Sequence, residues 1–188
     1  MEAAADRELM ERFRDGHAAS FEHLYERHRG PLYRYFARQA AKDNVDDLFQ
    51  ETWLRLIRSK ARYRPQAPFR AYLYQIAHSV LVDHYRRHGH ASRPRTDPTL
   101  DPIDSSAGPE DNYEAGTARS AFIAALDSLP PEQREAFLLH EEAGLTLEQI
   151  AEVVGTGRET IKSRLRYATR RLRESLSRDL GATAGESA

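Results

Sequence analysis

The chain has 188 residues, 40% of them hydrophobic, with 28 Lys and Arg against 29 Asp and Glu. That length holds one full domain or two small ones with buried cores. With no cysteine, disulfides and thiolate metal sites are excluded. No apolar run approaches the roughly 20 residues of a membrane span. The charged N-terminus MEAAADRELMERFRDG reads as neither export signal nor anchor, so a cytoplasmic protein without membrane insertion is expected.

The formal net charge of −1 conceals two opposed blocks. Gly157 to Arg178 carries eight basic residues against two acidic ones, whereas Asp97 to Glu114 carries six acidic residues and no basic one. Charge distribution, not its total, is the test of a nucleic-acid partner.

Helical periodicity runs through nearly the whole chain, and no alternating run is long enough for a strand, so the expected fold class is all-α. A first helix is expected over about Ala3 to Asp15, closed by Gly16, and a second over about Ala18 to Gln39 with Gly30-Pro31 inside it. A third starts near Asn44 as N-cap and carries Val45, Leu48, Phe49, Trp53, Leu56 and Ile57 on one face. After the loop KARYRPQAP, a fourth helix places Phe69, Tyr72, Leu73, Ile76, Ala77, Val80 and Leu81 on a buried stripe up to about His88. The following stretch, with Pro94, Pro98, Pro102, Pro109 and the acidic block, buries too little apolar surface to fold alone and reads as a linker. Further helices are expected at about Thr117 to Ser128 and after Leu129-Pro130-Pro131 as far as Ala143.

The segment LTLEQIAEVVGTGRETIKSRL has the form of a helix-turn-helix. Thr146 with Gln149 makes a capping box, Gly155 makes the turn, and Thr156 with Glu159 makes a second capping box. The second helix then buries Ile161, Leu165, Ala168, Leu172 and Leu176, leaving Arg158, Lys162, Ser163 and Arg166 on the outer face of its first turns. In this motif that end of the helix enters the major groove, where Arg and Lys reach guanine edges. Arg164, Arg170, Arg171 and Arg173 fit phosphate contacts, which fix register. The competing reading is a solvated basic face.

Three further segments, DNVDDLFQETWLRLI, FRAYLYQIAHSVLVDHYRR and LPPEQREAFLLHEEAGLTLEQIAEVVG, join the motif in one order. Together they resemble the extracytoplasmic-function (group four) sigma factors of bacterial RNA polymerase, over about Ser20 to Glu174. The resemblance implies two small helical domains joined by a flexible acidic linker. The first, 1–88, would bind core polymerase and open the promoter's minus ten element; 89–116 would be the linker; 117–180 would read the minus thirty-five element as duplex; 181–188 would be a disordered tail.

By the same resemblance, Asp47, Gln50, Glu51 and Leu54 would form the polymerase-binding stripe. Minus ten contacts would come from Arg62, Tyr63 and Arg64 in the loop and from Arg70, Tyr74, His78, Ser79, Arg86 and Arg87 on the helix. Rings and guanidinium groups together suit melted DNA. Phe69 and Tyr72, on the apolar stripe, read as core. Minus thirty-five contacts would come from Arg158, Thr160, Lys162, Ser163, Arg164, Arg166 and Arg170. The sequence departs from the family pattern at His78-Ser79, where Arg-Asn is usual, at Glu159, where Gly is typical, and at Tyr167, where a second Arg is common. Glu159 is read as a helix cap or as an acceptor for a cytosine amino group. The acidic linker either fills the polymerase cleft or is a solvated tether.

The resemblance also implies an anti-sigma partner, a monomer when free of partners, and no catalytic residue, cofactor or metal. Two rivals are weighed against it. A zinc site at His78, His84, His88 and His90 has only one helical i, i+4 pair and no HExxH pattern. A helix-turn-helix repressor acting without polymerase leaves the first domain unexplained.

Overall fold

Helix α1, Glu2–Arg14, stops at Gly16, whose φ of 104° lies in the left-handed region that glycine enters freely. The computed structural model describes residues 2–88 and 109–185, with side chains at 5–88, at 116 and at 118–178. Among them it contains helices and one 3-10 turn but no strand, as periodicity predicts. Helix α2, Ala18–Ala37, continues through Pro31 and ends two residues before the expected Gln39. Helix α3 is Lys42–Ser59, a 3-10 turn covers Lys60–Arg62, and α4 is Phe69–His88.

The first half is held by aromatic packing between α1, α2 and α3. Phe21 meets Trp53 edge-on at 5.6 Å between centroids, and Tyr25 meets Trp53 at 5.1 Å, a geometry that favours ring edges on ring faces. A buried polar group fixes α1 to α2. Asp6, 1% exposed, accepts from His28 Nε2 at 2.8 Å and from Arg27. Burial pushes the His28 imidazole below its ordinary value, and the neighbouring Asp6 carboxylate opposes that only in part.

Two sequence expectations for α3 are corrected. Asn44 is not its N-cap, because the Asn44 N–H already bonds the Ala41 carbonyl and Ala41 occupies the capping position with extended backbone and no side-chain bond. Ile57, assigned to the core stripe, is 38% exposed. It lies one turn beyond buried Trp53, where the helix face has already rolled towards solvent.

In the second half, α5 is Pro109–Asp127, α6 is Pro131–Glu141, α7 is Leu147–Val154 and α8 is Arg158–Gly185. Helix α5 therefore begins earlier than the expected Thr117, inside the span read as linker, and residues 89–108 of that span lie outside the described residues. Helix α8 runs past 180 to Gly185, so the stretch read as a disordered tail is helical as far as Gly185; 186–188 lie outside the described residues. Pro131 fits the first turn of α6, where no intrahelical N–H is missed.

The buried apolar residues form one continuous cluster through both halves, from Met10 and Leu24 to Ile161 and Leu172. Helix α4 packs against α3 and α1 on one side and against α7 on another. The helix-turn-helix and the loop after α3 are therefore neighbours.

Candidate nucleic-acid and polymerase-binding surfaces

The helix-turn-helix is built by local rules that the sequence states. The Gln149 N–H donates to the Thr146 hydroxyl at 3.3 Å, and the Thr146 N–H donates to the Gln149 side chain at 3.0 Å, so both arms of the first capping box form. Gly155 adopts φ 68°, a conformation any side chain would strain, and its N–H closes on the Ala151 carbonyl. The second capping box differs. Helix α8 begins at Arg158, its first i to i−4 bond runs from Ile161 to Gly157, and Glu159 pairs with Arg158 at 2.9 Å and Lys162 at 3.5 Å rather than with Thr156. Ile161, Ala168 and Leu172 are buried and Leu165 and Leu176 half-buried, which orients the helix as predicted.

On the outer face, Arg158, Thr160, Lys162, Ser163, Arg166 and Arg170 are exposed and Arg164 is half-buried. Arg158 also bonds Glu148 at the start of α7, which holds its guanidinium against the first helix and raises its pKa. Tyr167, read only as a departure from pattern, has a structural part to play. Its ring lies 5.0 Å from the Arg166 guanidinium carbon and 5.1 Å from that of Arg170, so one ring carries two cations. The i−1 and i+3 spacing of those arginines was the signal available in the sequence.

On α3, Asp47, Gln50 and Leu54 are exposed and Glu51 is half-buried, so the four share an accessible stripe. Leu54, 45% exposed, is joined by Ile57 as a second apolar residue one turn on. Glu51 is held at 2.7 Å by Arg55, which also reaches Asp83 of α4 at 2.9 Å. That brace fixes the stripe to the rest of the domain.

The loop and α4 keep only part of the expected single-strand surface. Arg62, Arg64, Ser79, Arg86 and Arg87 are exposed. Tyr63 and Tyr74 are corrected: both rings are buried, at 0% and 1% exposure, and neither can stack on a base in this arrangement. Tyr63 packs on Tyr72 at 5.2 Å and Tyr74 meets Tyr35 edge-on at 5.3 Å. Burial raises both hydroxyl pKa values. Phe69 is fully buried, as read. Arg70 is half-buried beside Gly144, and His78 Nδ1 lies 2.6 Å from the Glu135 carboxylate of α6.

A groove of about 500 Å³ lies between α3, the 3-10 turn and α4. Arg55, Arg58, Arg62, Tyr72, Gln75 and Ser79 line it, and the Arg55 guanidinium is held by Glu51 and Asp83. Arg58 and Arg62 are exposed and Tyr72 is half-buried, a set of cations beside a ring of the kind that suits a phosphate and an unstacked base. Of the sequence candidates, Arg62 and Ser79 line the groove; Tyr72, read as core, is packed against the core cluster at its edge, and Arg55, Arg58 and Gln75 were not among the candidates. His84 and His88 stack at 4.5 Å, His90 lies outside the described residues, and among the described residues no group of three or more His, Asp or Glu could hold a metal ion.

Comparison with known proteins fits both halves to one family. Residues 24–91 match the Sigma-70 region 2 model and residues 125–174 match the Sigma-70, region 4 model. The RNA polymerase sigma factor CarQ of Myxococcus xanthus is 35% identical over 89% of this chain and 95% of its own length. The ECF RNA polymerase sigma factor SigE of Mycolicibacterium smegmatis is 31% identical over 88% of this chain. The chain belongs to the extracytoplasmic-function sigma factors.

This sigma factor spans 65% of the length of SigE. Its fold is that of the sigma factor RpoE of Bartonella quintana, solved in complex with the anti-sigma factor NepR, at a TM-score of 0.67 and 22% identity over 84% of this chain and 96% of that one. The groove and the α3 stripe fall inside the region 2 match, and the exposed face of α8 falls inside the region 4 match. Helix α1 lies before both. No described helix is long and apolar enough to cross a membrane.

Proposed function

We propose that this sigma factor binds core RNA polymerase and directs promoter-specific initiation, its first domain (1–88) capturing the melted minus ten element and its second (117–180) reading the minus thirty-five duplex. The observation that carries this is the exposed cationic face of α8 on a formed helix-turn-helix, set in one chain with the three-arginine groove. In the duplex, Arg158, Thr160, Lys162, Ser163 and Arg166 meet base edges, and Arg164 and Arg170 meet phosphates. Arg158 exchanges its Glu148 and Glu159 partners for DNA at little cost, because exposed ion pairs are screened by solvent.

The single-strand surface consists of Arg62, Arg64, Ser79, Arg86 and Arg87, with Arg70 and His78 at its border and Tyr72, Arg55, Arg58 and Gln75 added from the groove. Asp47, Gln50, Glu51 and Leu54 engage the polymerase, with carboxylates and an amide around an apolar anchor suited to an Arg-rich helix. The polymerase supplies all the chemistry; the sigma factor positions DNA and carries no catalytic group. An anti-sigma factor that covers these surfaces is a further partner, by analogy with the RpoE–NepR complex.

The experiment is reconstitution. Core enzyme with this protein is expected to start transcription at a cognate promoter found by mapping start sites after overexpression. A chain that does not bind core enzyme overturns the proposal.

A further inference from the structure

Glu159 lies on the face that α8 turns to solvent, at its N-terminal end. The stripe that α8 turns inward is Ile161, Leu165, Ala168 and Leu172. Glu159, Ser163, Arg166 and Arg170 repeat that spacing two residues earlier, and two steps of about 100° lead to the opposite side of the helix. The Glu159 side chain is 74% exposed. Capping does not hold it back. A box with Thr156 would need the Thr156 N–H, but that N–H donates to the Ala151 carbonyl at 3.0 Å and closes α7 instead. A carboxylate therefore stands among the side chains that meet base edges, in the turn of the helix that enters the major groove first.

We infer that Glu159 is a specificity-determining residue for the minus thirty-five duplex, its carboxylate accepting a hydrogen bond from the exocyclic amino group of a cytosine. This rests on the proposed reading of α8 as the helix that meets the duplex, and adds a base to it. An ionised carboxylate only accepts, so it needs a donor on the base edge. In the major groove cytosine and adenine present amino groups, whereas guanine N7 and O6 and thymine O4 are acceptors that repel it. Adenine also places its N7 acceptor beside the amino group, which leaves cytosine the better partner. The neighbouring cations make the approach feasible. Glu159 Oε1 accepts from Arg158 Nη1 at 2.9 Å, and Oε2 lies 3.5 Å from Lys162 Nζ. Each oxygen keeps a lone pair for a base, and the two cations offset the repulsion that a lone carboxylate meets beside phosphates. Arg158 and Lys162 themselves suit guanine edges, so the expected site is a cytosine with guanine at a neighbouring base pair.

The test uses holoenzyme, core polymerase with the full chain, and a pool of promoter duplexes randomised over the minus thirty-five element. Bound duplexes are sequenced. Wild type is expected to enrich cytosine at one position by about tenfold over guanine and thymine. Glu159→Ala should lose that preference at that position alone. Glu159→Gln should replace cytosine there by adenine, because an amide both donates and accepts and so pairs with adenine N6 and N7. A switch to adenine is a gain that misfolding cannot produce. Unchanged cytosine preference in both variants overturns the inference, as does a loss spread equally over all sequences. Loss of guanine at neighbouring positions with cytosine retained also overturns it, and makes Glu159 a positioning residue for Arg158 and Lys162. A wild-type motif without such a cytosine overturns this inference and leaves the proposed function standing. Wild-type holoenzyme that enriches no minus thirty-five sequence overturns the proposed reading of the duplex itself.

Discussion

Asp6→Ala tests how the N-terminal helix supports the loop after α3. Asp6 is 1% exposed and has two partners across the α1–α2 contact, Arg27 and His28. Arg27 is one-third exposed, so it can turn to solvent and its share of the loss is about 0 to 1 kcal/mol. His28 is 4% exposed and would keep a buried ring N–H with no acceptor, which costs about 1 to 3 kcal/mol. The total expected is about 1 to 4 kcal/mol. At a urea slope of about 1 to 3 kcal/mol/M, the unfolding midpoint should fall by about 0.3 M or more. Asp6→Asn keeps a carbonyl that can accept from His28 and should lose about half as much.

The loss should also reach the loop. Helix α1 receives Lys60, whose ammonium lies 4.6 Å from the Phe13 ring centroid and 3.4 Å from the Phe13 carbonyl, next to Tyr63. Hydrogen exchange at 60–64 should therefore quicken in Asp6→Ala. pH provides a second readout. Folding holds the His28 pKa below its unfolded value of about 6.5. Above that value both states are neutral and the group contributes nothing. As pH falls below it, the unfolded chain gains a proton that the folded chain refuses, so stability declines down to the folded pKa. Without Asp6, which raises that pKa, the decline should continue to lower pH. Equal costs for Asn and Ala, or a midpoint shift under about 0.3 M, would refute this account.

Four further outcomes are expected. Thr146→Ala removes one arm of the capping box and should cost about 1 kcal/mol by urea unfolding. Tyr167→Ala removes the ring beneath Arg166 and Arg170 and should weaken minus thirty-five duplex binding by about three- to tenfold, while Tyr167→Phe keeps the ring and most of the affinity. Lys162→Ala and Arg166→Ala should each cost about 1 to 3 kcal/mol on the cognate duplex in anisotropy titrations, and an equal loss on all sequences would reassign them to phosphate. Asp47→Lys with Glu51→Lys should weaken core polymerase binding with helix content unchanged, since Asp83 still holds Arg55 when Glu51 is lost; unchanged affinity would reject that interface.

The elements that could be read from the sequence were those set by local rules. Both bonds of the Thr146–Gln149 box, the left-handed Gly155 and the stripe from Ile161 to Leu172 follow from neighbours within a few positions. The misreadings share a different cause. A periodic stripe assumes one buried face per helix, but α4 packs against α1 and α3 and also against α7, so Tyr74 is buried although it lies off the stripe. Tyr63 looked accessible because it follows a helix in a Pro-containing loop, yet it is covered by contacts distant in sequence, among them those to α1. The arginine groove was missed for the reverse reason. Arg55 and Arg58 carry no local signal in the sequence of α3, and only the packing of α4 beside them makes them line one groove with Arg62.

That packing also gives the net charge of −1 its physical meaning. Neutrality is not spread evenly over the surface. On α8, exposed arginines rest on Glu148, Glu159 and Glu174, and in the first domain Arg34 and Arg38 rest on Glu142. The two sets differ in depth. Pairs at the surface of α8 are screened and exchange readily for other partners. The pair at Glu142 is mostly removed from water, so parting it leaves charges to be resolvated, and only a partner that replaces those contacts can do so at low cost.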